Sequence, residues 1–271
     1  MTLFQALILG IIQGLTEFIP VSSTAHLLIG QRLLGIESSD FIFAFIIIIQ
    51  LGTVLSLIVV FWRDLWRITK EFFKNPFTES ADSLNRLAWY IILATIPAAL
   101  IGYLVRNEVK TLFNEPLLGA AIRLFSAAAL MFLAERLGSR IRQLDSMHWL
   151  DALMIGFFQG LAIFPGASRS GSTISGGMLR GFNRTASARF AFLMSIPIML
   201  GAVIYQIIDV VHLPGFREFV PVLALGFTSA AIVGWLAVRW LLSYLNKNSL
   251  NAFAAYCSLA GLAVLLFNIF V

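Results

Sequence analysis

Long apolar segments are the feature of this sequence that most restricts its fold. Six of them reach the roughly 20 helical residues that a lipid bilayer requires, and Arg123 is the only formally charged residue inside them. They cover Phe41–Trp62, Leu87–Val105, Pro116–Ala134, Phe190–Ile208, Phe219–Val238 and Leu250–Val271. Only 12% of the residues are charged, whereas soluble domains carry about a quarter. The sequence therefore excludes the water-soluble fold classes and predicts an all-α integral membrane protein with six transmembrane helices.

Two further apolar regions, Leu3–Gly30 and Leu150–Leu179, are interrupted near their middles by polar residues, glycine and proline. Each half has about 12–16 residues, which is too short to cross a bilayer alone. A continuous kinked helix is one interpretation of each region. Two half-helices that enter and leave on one side fit better, because irregular backbone is tolerated at membrane depth only where it lines protein or water. The fold prediction therefore adds two re-entrant helix-loop-helix pairs.

The chain also repeats itself. Gly10–Leu15 reads GIIQGL, and Gly156–Leu161 reads GFFQGL. Further along, Leu93–Leu104 aligns with Leu225–Leu236, so the matches keep their order. Chance similarity between apolar helices is the alternative explanation.

The repeat divides one membrane domain into two halves, residues 1–143 and 144–271, each with a re-entrant pair and three crossings. Because three is an odd number, the second half is inverted relative to the first. Broken segments at matching places in two inverted halves point to a site at the bilayer midplane.

Basic residues are concentrated on one side of the predicted bundle. The richer set of connecting segments holds Arg63, Arg67, Lys70, Lys74, Arg86, Arg136, Arg140, Arg142, Arg180, Arg184, Arg189, Arg239 and Lys247. The opposite set holds Arg32, Arg106, Lys110 and Arg217. Cytoplasmic loops carry the excess of positive charge, so we expect the richer side in the cytoplasm and both termini outside. The net charge of +5 is then explained without a nucleic-acid partner.

The first interruption carries ionisable and hydroxyl side chains. Gln13 and Glu17 are four residues apart and share a helix face, and Pro20 is expected to break the helix. After the proline come Ser22, Ser23, Thr24 and His26. The three hydroxyl residues are natural N-caps for the next half-helix, whose free N–H groups can bind an anion. Ionisable residues in an apolar segment are costly and so are functional candidates; a polar pair that only joins helices is the alternative.

The second interruption, Phe164–Thr173, reads FPGASRSGST and contains one charge, Arg169. Its glycines permit close backbone approach, and its N–H and hydroxyl groups can form an anion nest. A guanidinium in this setting suits bidentate phosphate binding, although pairing with Glu17 for structure alone is an alternative. We assign substrate contacts to Gln13, Ser22, Thr24, Ser168, Ser170, Gly171 and Thr173. Arg123 and Gln50 are expected to have structural roles in the bundle.

Together the two interruptions offer groups that can cleave a phosphoanhydride. Arg169 would neutralise charge on the transferred phosphoryl group. Glu17 would hold a divalent cation with Gln13 beside it, or activate a nucleophile. His26 would transfer a proton. Ser23 is the best-placed nucleophile, with direct attack by water as the alternative.

A site at membrane depth predicts a substrate that is part lipid. Hydrolysis of a lipid pyrophosphate is therefore the main functional interpretation. A transporter or flippase for polyprenyl phosphate is the second, because inverted halves with broken helices are also a transporter design.

These motifs resemble those of the undecaprenyl-pyrophosphate phosphatases, a bacterial membrane enzyme family linked to bacitracin resistance. The family's first motif, Glu or Gln, three residues, Glu, then Pro-x-Ser-Ser-Thr-Gly-His, corresponds to Gln13, Glu17 and Pro20–His26. Its second motif, Pro-Gly-x-Ser-Arg-Ser-Gly-x-Thr, corresponds to Pro165–Thr173. The chain departs from the pattern at Gln13, where Glu is frequent, and at Ala25, where Gly is usual.

The resemblance implies hydrolysis of the C55 lipid pyrophosphate to the monophosphate carrier used in cell-wall synthesis, with release of inorganic phosphate. It also implies a bacterial cytoplasmic (inner) membrane enzyme, a site open to the outer face, and dependence on Mg²⁺ or Ca²⁺. The family's functional residues fall on Glu17, Ser22, Ser23, His26 and Arg169. Both a monomer and a homodimer are compatible with this interpretation.

Overall fold

A computed structural model describes residues 1–37, 39–74, 83–105, 116–162, 168–211 and 216–270. These ranges contain eleven α-helices, one short 3-10 turn at Leu144–Ser146 and no β-strand. The helices are α1 Leu3–Thr16, α2 Ser23–Leu33, α3 Asp40–Val60, α4 Trp62–Lys74, α5 Ser83–Leu104, α6 Pro116–Leu137, α7 Trp149–Leu161, α8 Arg169–Leu179, α9 Arg184–Val211, α10 Phe216–Leu245 and α11 Asn251–Phe270. The all-α prediction is confirmed.

Five helices in the described ranges, namely α3, α5, α6, α9 and α10, are long and apolar enough to cross a bilayer. The described apolar part of α11, Asn251–Phe267, is shorter. Several long helices extend past the predicted spans. The largest extensions are in α9, which begins at Arg184 rather than Phe190, and in α10, which ends at Leu245 rather than Val238. The reason is that a helix continues beyond the apolar layer as long as its backbone groups remain paired, whereas hydropathy marks only the apolar layer.

The two interrupted regions form four short helices. Helices α1 and α2 have 14 and 11 residues, and α7 and α8 have 13 and 11. None of them is long enough to cross a bilayer alone. The first break lies between Thr16 and Ser23. The second lies between Leu161 and Arg169, and residues 163–167 within it are outside the described part of the chain.

Glycines bring two of the short helices into backbone contact with long ones. A Cβ atom on Gly10 of α1 would collide with the carbonyl oxygen of Gly226 on α10. In the same way, a Cβ on Gly156 of α7 would collide with the carbonyl oxygen of Ala94 on α5. Small residues allow such close approach between membrane helices. We call these two contacts the glycine seams. Gly226 and Ala94 are matched in the alignment of Leu225–Leu236 with Leu93–Leu104.

Helix α6 contacts both α2 and α8, so it lies beside both breaks. The first break is also fixed by aromatic packing: the rings of Phe18 and Phe192 meet edge to face with centroids 5.5 Å apart. Both residues are nearly fully buried. Burial of two aromatic rings contributes several kcal/mol, at about 25 cal/mol per Å² of apolar surface. The irregular backbone between α1 and α2 is therefore anchored in the protein core.

Candidate active site

Glu17, which follows the last residue of α1, is the centre of the site and is only 6% exposed. Its Oε2 accepts a hydrogen bond from Gln13 Nε2 at 2.9 Å, as the four-residue spacing on α1 predicts. The same oxygen accepts a hydrogen bond from Ser23 Oγ at 2.6 Å. The break between α1 and α2 returns the chain so that the first residue of α2 faces the carboxylate. A hydroxyl and a carboxylate in this contact are an arrangement suited to nucleophile activation.

The second break reaches the same carboxylate. The guanidinium of Arg169, the first residue of α8, donates a hydrogen bond to Glu17 Oε1 and forms an ion pair with it. Ser170 Oγ donates to the carbonyl oxygen of Ile19 at 3.4 Å. A Cβ on Gly171 would lie 3.7 Å from Pro20, an ordinary van der Waals distance, so the start of α8 lies beside the first break. Residues more than 150 positions apart therefore share one site.

A cavity of about 190 Å³ opens beside these groups. Most of its lining side chains are polar or charged, so a hydrated anionic head group suits it better than an apolar ligand. The cavity is lined by Glu17, Ser22, Ser23, Thr24, Gln50, Arg123, Ala162, Ser168 and Arg169.

The two serines that precede α2 and α8 behave differently. Ser168 caps α8, because its Oγ accepts a hydrogen bond from the N–H of Gly171 at 3.2 Å. Ser22 precedes α2 with φ 68° and ψ 91° and makes no side-chain cap; its predicted capping role is wrong. A non-glycine residue at positive φ costs about 1–3 kcal/mol and is typical of functional sites. This turn leaves the N-terminus of α2 uncapped at the cavity, where its N–H groups favour an anion.

Residues 6–263 match the family described as bacitracin resistance protein BacA. The chain belongs to the BacA family. It is 38% identical to the undecaprenyl-diphosphatase of Methanobrevibacter smithii, with 99% of both chains covered. It is also 40% identical to that of Desulforudis audaxviator, covering 97% of this chain and 96% of the relative. The undecaprenyl-diphosphatase of Rubrobacter xylanophilus is 41% identical over 94% of both chains. The resemblance inferred from the two motifs is confirmed.

His26 does not line the cavity in this member of the BacA family. Its Nδ1 lies 2.9 Å from the carbonyl oxygen of Ser22, and its Nε2 lies 2.7 Å from the hydroxyl of Tyr256. The two rings stack with centroids 5.7 Å apart. A carbonyl oxygen only accepts hydrogen bonds, so in the neutral imidazole Nδ1 carries the proton and Nε2 accepts from Tyr256. The proton-transfer role of His26 stays a prediction.

Three residues at the site had no functional assignment from the sequence. Tyr256 lies on α11, 230 residues from His26. A single tyrosine in an apolar helix carries no sequence pattern that would indicate a functional role. Arg123 on α6 is 4% exposed and, with Gln50 of α3, lines the cavity. For Arg123 a signal was available, because it is the only formal charge inside the six apolar segments. The site of this BacA protein therefore holds a second guanidinium.

Four of the predicted substrate contacts do not line the cavity. Gln13 donates a hydrogen bond to Glu17, which does line the cavity. Ser170 and Gly171 form contacts between the two breaks. Thr173 Oγ1 donates within α8, to the carbonyl oxygen of Arg169 at 2.8 Å. Of the second BacA motif, positions 165–167 lie outside the described residues.

Proposed function

We propose that this chain hydrolyses undecaprenyl pyrophosphate to undecaprenyl phosphate and inorganic phosphate. Relatives with 38–41% identity over nearly the whole chain are named undecaprenyl-diphosphatase. The observation that carries the mechanism is the contact of Ser23 and Arg169 with the two oxygens of the Glu17 carboxylate. The monophosphate product would return to cell-wall synthesis as the lipid carrier, and consumption of the pyrophosphate would oppose bacitracin.

Substrate binding would begin when Arg169 exchanges its ion-pair partner. The diphosphate carries more negative charge than Glu17, so the Arg169 guanidinium would turn from the carboxylate to the phosphate oxygens. Arg123 would neutralise the head group from α6. The N-terminus of α2 adds backbone N–H donors. Released from Arg169, the Glu17 carboxylate still accepts the hydrogen bond of Ser23 and is placed to take its proton.

The chemical step would use Ser23 as the nucleophile. Glu17 takes the proton from Ser23 Oγ as Oγ bonds to the terminal phosphorus, and undecaprenyl phosphate leaves with the electron pair of the broken P–O bond. Water then attacks the phosphoserine, and Glu17 returns the proton to Oγ as the Oγ–P bond breaks. Both protons of the water remain with the inorganic phosphate. The arginines stabilise the charge on the transferred phosphoryl oxygens.

A divalent cation, Mg²⁺ or Ca²⁺, fits the donor atoms of this site. The described residues contain no group of three or more His, Cys, Asp or Glu side chains that could hold a metal alone. Mg²⁺ is nevertheless commonly held by one or two carboxylates together with substrate phosphates. Glu17, with the amide oxygen of Gln13 beside it, would hold the cation. When bound, it would supply further charge neutralisation at the phosphate oxygens.

The hydrolase assignment is tested by phosphate release. Protein purified in detergent with Mg²⁺ is expected to release inorganic phosphate from undecaprenyl pyrophosphate, measured as an initial rate. A preparation from cells with an empty vector controls for contaminating phosphatases. No release across a range of metals and pH would contradict hydrolysis and favour a polyprenyl-phosphate transporter, which needs no nucleophile and base such as Ser23 and Glu17.

We further propose six crossings and two re-entrant pairs, arranged as inverted halves with both termini outside. The lengths of the four short helices support this layout. The two glycine seams support the repeat, because they join equivalent positions, Gly10 to Gly226 and Gly156 to Ala94. The active site would then open to the outer face of the cytoplasmic membrane. A monomer and a homodimer both remain compatible with it.

The orientation is tested by cysteine labelling in intact cells. The native Cys257 is fully buried, so we expect little labelling of the protein without an introduced cysteine. A membrane-impermeant maleimide is expected to label Arg32→Cys from outside and Lys70→Cys only after permeabilisation, since both native side chains are exposed. Labelling in the opposite order would contradict the proposed orientation.

A further inference from the structure

A second cavity lies at the arginine-rich end of the helices, outside the candidate active site. It sits where α3 ends, α4 begins and the last third of α10 passes beside them, and its volume is about 660 Å³. It is lined by Val59, Val60, Trp62, Arg63, Asp64, Trp235 and Arg239. No lining residue is shared with the cavity at Glu17. We call it the α3–α4–α10 cavity.

Besides Arg169, five described arginines that do not line this cavity have acidic partners. The buried carboxylates Glu135 and Asp151 each form ion pairs with two arginines. Asp64, which lines the cavity, is paired with Arg189 at 2.7 Å. The arginines on the buried carboxylates are Arg140 and Arg184, and Arg142 and Arg180.

The two arginines that line the cavity differ from these in their distance from carboxylates. Among the described residues, no carboxylate oxygen lies within 4.0 Å of Arg63 or Arg239. Both side chains are exposed. Asp64 also lines the cavity but is paired with Arg189. The two remaining guanidiniums therefore offer a site for an anion, and the planar fork of arginine suits a phosphate.

The aromatic residues that line the cavity indicate that this anion would lie at a lipid surface. The Arg239 guanidinium lies 4.7 Å from the ring centre of Trp235, and Trp62 is 59% exposed. Tryptophan is enriched where the hydrocarbon layer meets the head groups. Helix α10 has 30 residues and so a length of about 45 Å, which exceeds a hydrocarbon layer of about 30 Å. The helix is therefore long enough for the end that carries Arg239 to reach head-group depth.

We propose that the α3–α4–α10 cavity binds the head group of an anionic phospholipid. The phosphate would lie between Arg63 and Arg239, and the start of an acyl chain would lie along Val59 and Val60. The charge of the two arginines favours an anionic lipid over a zwitterionic one, and the apolar lining favours a lipid over free phosphate. This site is independent of the function proposed for the Glu17 cavity.

Native mass spectrometry of the detergent-purified protein tests this site, with phosphatidylglycerol and phosphatidylcholine as probes. Phosphatidylglycerol is expected to bind more tightly than phosphatidylcholine. Arg63→Gln and Arg239→Gln should each weaken phosphatidylglycerol binding about fivefold, and the double variant about 25-fold, since each basic residue near a lipid surface contributes about 1 kcal/mol. Arg239→Lys, which keeps the charge, should retain most of the binding and so excludes a general folding defect.

Arg136→Gln is the matched control. Like Arg239, Arg136 is exposed and lies over an aromatic ring four residues earlier in its own helix, here Phe132 at 5.1 Å. It does not line the cavity, so its variant should bind phosphatidylglycerol as the wild type does. An equal loss in Arg136→Gln would show that net charge alone attracts the lipid and would overturn the proposal. Equal affinity for phosphatidylcholine, or displacement of the lipid by inorganic phosphate, would overturn it too.

Discussion

Arg169→Ala is expected to lower the turnover of undecaprenyl pyrophosphate about a thousandfold or more. The Arg169 guanidinium lines the cavity and touches Glu17, where charge on the transferred phosphoryl group must be neutralised. Initial rates of phosphate release in detergent with Mg²⁺ measure the effect. A variant within tenfold of the wild type would remove Arg169 from the catalytic site.

A structural effect of the same substitution can be separated from the catalytic one. Removing Arg169 leaves the buried Glu17 carboxylate without its ion-pair partner, a change that costs about 3–5 kcal/mol in buried pairs. The double variant Arg169→Ala/Glu17→Gln carries neither charge, so thermal stability should largely recover while turnover stays low. Recovery of turnover together with stability would show that the ion pair is structural only.

Ser23→Ala should also lower turnover, by about a thousandfold, because the alanine has no hydroxyl to attack the phosphorus. Initial rates of phosphate release compare the variant with the wild type. In addition, acid-quenched wild-type enzyme should yield a phosphorylated peptide that contains Ser23, detected by mass spectrometry.

Ser22→Ala is the matched control for this substitution. Ser22 lines the same cavity, but Ser23 is the serine whose hydroxyl donates to Glu17. We expect Ser22→Ala to stay within tenfold of the wild-type rate. Normal turnover of Ser23→Ala would instead make water the nucleophile, with Glu17 as its base.

The sequence predicts helices well where apolar length decides the outcome. The cores of α3, α5, α6, α9 and α10 lie where long apolar segments predict them. Helix α4, Trp62–Lys74, was not predicted as a helix, because its mixture of aromatic and basic residues has no long apolar run. The extra turns of α9 lie in polar sequence that begins at Arg184. On α10 the charge of Arg239 ends the predicted span, although the largely apolar turns that follow continue the helix to Leu245.

At the candidate site, the sequence predicted relationships among the residues of the two interruptions, including that of Glu17 with Arg169, and missed contacts made by residues outside them. The spacing of Gln13 and Glu17 predicts their contact, which the structure shows. The contact of His26 with Tyr256 depends on how α2 packs beside α11, and no local pattern encodes it. The position of Arg123 at the cavity likewise follows from the packing of α6 against α2 and α8.

The glycine seams also bear on how the lipid arrives. Each seam joins a helix within residues 1–143 to a helix within residues 144–271, α1 to α10 and α7 to α5, so these two halves of the chain are in backbone contact at both seams. Rocking one half against the other, the usual transporter motion, would shear both seams and force side chains into backbone oxygens. We therefore expect the helices to keep their positions during the reaction. The lipid would diffuse to the protein within the plane of the membrane, and only its head group would enter the site while the C55 tail stays in the bilayer.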